Sequence, residues 1–90
     1  MKTVENTLFG QFEVFWGVLD PHIEIQARVG SFSHYKSGSE AVTFQDPLYP
    51  NEAKTLSVYR HASNPKCIVL LAEITPSIWA YGFQLDGQYA

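Results

Sequence analysis

The chain has 90 residues, which is enough for one domain spanning 1–90 and too few for two. It is 46% hydrophobic and 17% charged, so it is a folded globular chain and not a disordered one. The net charge is −3, and the six Lys and Arg (Lys2, Arg28, Lys36, Lys54, Arg60, Lys66) are scattered. That argues against duplex nucleic acid, which needs clustered cations, and leaves only single-stranded bases stacked on aromatic rings.

Val4 to Leu19 reads in two ways. As a strand from about Gln11, it puts Phe12, Val14, Trp16 and Val18 on one face. As a helix over 4–19, it puts Val4, Leu8, Phe12, Phe15 and Leu19 on one stripe, with Thr3 as cap. Two interior glycines cost a helix about 1 kcal/mol each, and Val, Phe and Trp favour strands, so the strand is preferred. Asp20-Pro21 then fits a hairpin turn into the next element.

His22 to Val29 has the clearest strand pattern. Ile23, Ile25, Ala27 and Val29 alternate with His22, Glu24, Gln26 and Arg28. Gly30 to Ser39 reads as a flexible hairpin tip, with Phe32 and Tyr35 as possible binding anchors. It lacks the Gly-Lys-Ser/Thr of a phosphate loop. Ala41 to Gln45 is a strand with Val42 and Phe44 together. After the Asp46-Pro47 and Pro50-Asn51 turns, Thr55 to Arg60 is a strand with Leu56 and Val58 inward and Tyr59 outward. Cys67 to Ile74 is apolar on both faces until Glu73, as in a central strand covered on both sides. Thr75-Pro76-Ser77 turns the chain into Ile78 to Leu85. There Trp79, Tyr81, Phe83 and Leu85 share one parity, and Ala80 and Gly82 allow close packing on the other.

The expected fold is therefore mainly β: a five- or six-stranded, largely antiparallel meander curled into a small barrel or sandwich. The alternative is α+β, with residues 4–19 as a helix laid on the sheet.

No stretch reaches the roughly 18–20 apolar residues needed to span a bilayer, so no membrane role is expected. The N-terminus lacks the order of a signal peptide, and the single Cys67 cannot form an internal disulfide. Together these point to a cytoplasmic setting.

The chemistry-bearing residues are sparse. Glu73 would be a general acid or base if buried, but its position fits a strand surfacing before a turn. His22, His34 and His61 lack metal-ligand spacing and read as solvated, so no metal or cofactor is expected. Cys67 reads as a small core residue.

The unusual feature is the aromatic content of 14%. Tyr35, Tyr59, Trp79 and Tyr81 are the candidate binding residues, because rings with polar tips suit interfaces and sugar platforms. Tyr49 and Tyr89 are further aromatics placed in a loop and at the terminus. The expected function is a non-enzymatic interaction module, forming a homodimer or docking on another protein through an aromatic sheet face or an edge strand. A carbohydrate or small-ligand binder is the alternative. An enzyme using Glu73, His61 or His34 ranks third.

Overall fold

The computed structural model describes residues 1–86. Among them the chain forms β1 (Lys2–Thr7), β2 (Gly10–Val18), α1 (His22–Val29), a 3-10 turn (Phe32–His34), β3 (Tyr35–Gln45), β4 (Ala53–His61), β5 (Ile68–Thr75) and β6 (Ile78–Gln84). The strands make one six-stranded sheet in the order β1-β2-β6-β5-β4-β3, every neighbour antiparallel. The protein is thus mainly β, with one short helix. None of the described helices is long and apolar enough to cross a membrane.

Val4 to Leu19 is not a helix but a hairpin. Leu8 and Phe9 keep negative φ, and Gly10 takes the reversal at φ 106°. Phe12, Val14 and Trp16 share a buried face as their alternation requires. Val18 does not join them. The pairing of β2 with β6 shifts between Phe15 and Val18, where Gly17 sits at φ 72°. One extra residue there flips the parity and sends Val18 to the opposite face.

His22 to Val29 is an α-helix, which overturns the strand expectation. Its alternation satisfied two periods at once, because Ile25 and Val29 are four apart and so also share a helical face. Only those two are buried, while Ile23 is 78% exposed. Asp20-Pro21 does not turn a hairpin. It opens the helix, with Asp20 Oδ1 accepting the His22 N–H at 3.1 Å. Gly30, at φ 84°, ends it by donating to Gln26 C=O at 2.9 Å.

Gly30 to Ser39 is not a hairpin tip either. Tyr35 begins β3, and Ser37-Gly38-Ser39 belongs to that strand, in a bulge where its register against β4 shifts between Ser37 and Ala41. β5 is the central strand expected from its sequence, with Ile68 to Leu71 all buried. Pro76-Ser77 forms the tight turn into β6.

The sheet curls into a half-barrel. Trp16 on β2 and Phe44 on β3 meet edge to face at 6.4 Å between ring centroids. Four strand spacings separate β2 from β3 in the sheet, about 19 Å if it were flat. The concave side therefore closes on itself around Phe12, Val14, Trp16, Leu56, Val58 and Leu70. The outer side is covered by α1, which lays Ile25 and Val29 on Val69, Leu71, Tyr81 and Phe83. Arg28 of α1 stacks its guanidinium 4.7 Å from the Phe83 ring centre and reaches Glu13 at 3.6 Å.

Candidate functional site

All four candidate residues lie on the outer face, under or beside α1 and the 3-10 turn. Strand parity sets this: Trp79 and Tyr81 alternate along β6, and Tyr59 takes the face opposite Leu56 and Val58. Tyr59, expected outward, is half-buried because Phe32 tilts against it at 5.0 Å. Tyr35, expected in a loop, is a buried strand residue stacked on Phe32 at 5.9 Å. Tyr81 is also buried, stacked on Phe15 at 5.1 Å. Trp79 is half-buried, with the His22 ring edge-on at 5.4 Å.

Phe32 and His22 therefore join three of the four into one row: Trp79, His22, Phe32, then Tyr59 and Tyr35. Tyr81 stands apart with Phe15 and Phe83. Burial raises the phenol pKa of both Tyr35 and Tyr81 above 10.0; the Cys67 thiol adds to the rise at Tyr35 and Glu24 to that at Tyr81. Most of the ring surface is spent on neighbouring rings and on the helix, and Trp79 and Tyr59 keep the partly exposed edges. The sequence signalled the β6 aromatics through their parity. His22 is exposed, as expected, but its ring contacts with Phe32 and Trp79 depend on the helix that the alternation disguised.

At the end of this row a small cavity of about 230 Å³ is lined by Tyr35, His61, Ser63, Asn64 and Cys67. His61 Nδ1 accepts the Ser63 N–H at 3.0 Å, so its neutral ring carries the proton on Nε2. The cavity lining holds no carboxylate, lysine or arginine. Glu73 is exposed at the far end of β5, opposite Trp79. Cys67 is a core residue, 3% exposed. Among the described residues no group of three or more His, Cys, Asp or Glu is placed to hold a metal ion.

The two ends of the sheet differ. β3 is irregular at its bulge, where Arg60 of β4 grips Glu40 through Nε–Oε1 at 2.7 Å and Nη2–Oε2 at 3.0 Å. Bulges blunt an edge against pairing. β1 is regular over all six residues. Met1 and Trp16 exchange both backbone bonds, at 2.8 and 3.3 Å. In an antiparallel ladder such pairs alternate, so Thr3, Glu5 and Thr7 bond to β2. The N–H and C=O groups of Lys2, Val4 and Asn6 then point away from the sheet. Their side chains are exposed, Val4 among them at 54%, and Leu8 at the hairpin tip is fully exposed. Asn6 to Leu8 and Ala41 to Phe44 flank a groove of about 430 Å³ at the mouth of the half-barrel.

No family model, no curated protein and no solved structure matches this chain.

Proposed function

We propose that the protein is a non-enzymatic interaction module that pairs with a second copy of itself through the edge of β1. The observation that carries this is the regular β1 edge. It offers a row of outward backbone donors and acceptors beside a half-exposed Val4, with no bulge or proline to block it. The other route expected from the sequence, the aromatic sheet face, lies under α1. That leaves the edge as the surface with unspent pairing capacity.

Light scattering at micromolar concentration tests the reading, and a dimer is expected. Val4→Pro is the informative variant. It deletes an N–H that points away from β2, so the β1–β2 ladder keeps its bonds while the outer edge loses a donor. It should give a monomer with unchanged circular dichroism. A wild-type protein that stays monomeric overturns the proposal.

A second reading rests on the half-buried Trp79 beside His22. A sugar stacking on that edge would shift tryptophan emission, and emission unmoved by a panel of oligosaccharides removes it.

A further inference from the structure

We infer that two copies pair with Val4 on the two-fold axis, so that Lys2 of each faces Asn6 of the other and Thr3 faces Glu5. This rests on the self-association reading above and adds its register. In a symmetric antiparallel pair the axis passes between one residue and its own counterpart, so the register is named by that residue. Three choices keep most of β1 in use: Thr3, Val4 or Glu5.

The outward backbone groups decide between them. Residues whose N–H and C=O point outward must meet each other, because only they can exchange both bonds. With Val4 on the axis, Lys2, Val4 and Asn6 all find partners: Val4 meets Val4, and Lys2 meets Asn6 at both ends. With Thr3 on the axis, Lys2 meets Val4 and Asn6 is left over. With Glu5 on the axis, Val4 meets Asn6 and Lys2 is left over.

Charge points the same way. The Glu5 register sets two carboxylates directly opposite each other, which destabilises a ladder. The Val4 register opposes no like charges, since Lys2 faces an amide and Glu5 faces a hydroxyl. It also brings two Val4 side chains, each 54% exposed in the single chain, into contact across the seam. α1 lies on the face of the sheet that carries Lys2, Val4 and Asn6. A two-fold axis perpendicular to the sheet keeps both helices on that side, and the ladder continues from one sheet into the other.

Cysteine pairing reads the register directly. Thr3 opposite Glu5 is a pair without mutual backbone bonds, where Cα atoms lie about 4.5 Å apart, within disulfide reach. Thr3→Cys and Glu5→Cys chains, differing in mass by a tag, are mixed under mild oxidation, with wild type as the control for the buried Cys67. The expected product is the mixed disulfide, with neither variant cross-linking to itself. Self-linking of Thr3→Cys or of Glu5→Cys overturns the register and leaves the dimer standing. A dimer in light scattering that forms none of these links also overturns it. A monomer in light scattering overturns the self-association reading itself.

Discussion

Ile23 and Ile25 stand two residues apart on α1, one 78% exposed and the other fully buried. A strand would place both on one face; the helix separates them by more than half a turn. Ile25→Ala should therefore cost about 2–5 kcal/mol, the range for emptying a packed aliphatic site. Ile23→Ala should stay within about 0.5 kcal/mol, as surface changes do. Urea denaturation of the two variants measures both. Equal losses would mean that the segment docks as an alternating ribbon.

Gly82 marks the closest approach in the middle of the sheet. A Cβ there would lie 3.2 Å from the Glu13 carbonyl oxygen and 3.3 Å from methyl groups of Leu70 and Val14. The carbonyl belongs to a paired strand and cannot swing aside. Gly82→Ala should destabilise by about 1–3 kcal/mol through overpacking. Gly38 offers the contrast, with nothing within 4 Å of an added Cβ. Gly38→Ala should be neutral or stabilise by up to about 1 kcal/mol by restricting the unfolded chain. Thermal melts of both variants give the comparison.

Acid should weaken the bulge in β3. Hydrogen bonds from the Arg60 guanidinium hold the Glu40 carboxyl below its ordinary pKa of 4.5. A depressed folded pKa means that the pair stabilises the fold above the ordinary carboxylate range and loses that effect as pH falls through the folded value. The melting temperature of Glu40→Gln should lie below wild type at neutral pH and converge on it in acid. A gap that persists unchanged into acid would show that the paired carboxylate is not its source. The pair is exposed enough that added salt should narrow the neutral-pH gap as well.

Alkali should act through the buried phenols. Burial raises the pKa of Tyr35 and of Tyr81 above 10.0. The folded state then holds those protons longer than the unfolded chain does, so stability falls as pH climbs past 10.0 toward the folded values. Phenolate absorbance should show two groups titrating later than free tyrosine. Tyr81→Phe keeps a ring against Phe15 and should remove one late group together with part of the alkaline instability. An unchanged titration in that variant would place the late phenol elsewhere.

Much of the fold was legible because its signals are local. The doubly apolar run Ile68 to Leu71 identifies a central strand wherever it lies in the chain, and Pro76-Ser77 allows little but a tight turn. The inward pairs Leu56 with Val58 and Phe12 with Val14 follow from alternation alone. The misread places have separate physical origins: at Val18 and at Ser37-Gly38-Ser39 a bulge breaks the alternation. At His22 to Val29 the two periods coincide at Ile25 and Val29, so the pattern carried no information on which was in use.

By itself, then, the order of residues determined a mainly β chain, its central strand, its turn at Pro76-Ser77 and the parity of its β6 aromatics. Only the tertiary structure decided that α1 covers the outer aromatic face, that Tyr35 and Tyr81 are consumed in packing, and that β1 is the regular edge left over. The reason is that periodicity reports which side of an element is apolar. What meets that side depends on contacts between residues far apart in the chain, such as Trp16 with Phe44 or Arg28 with Phe83.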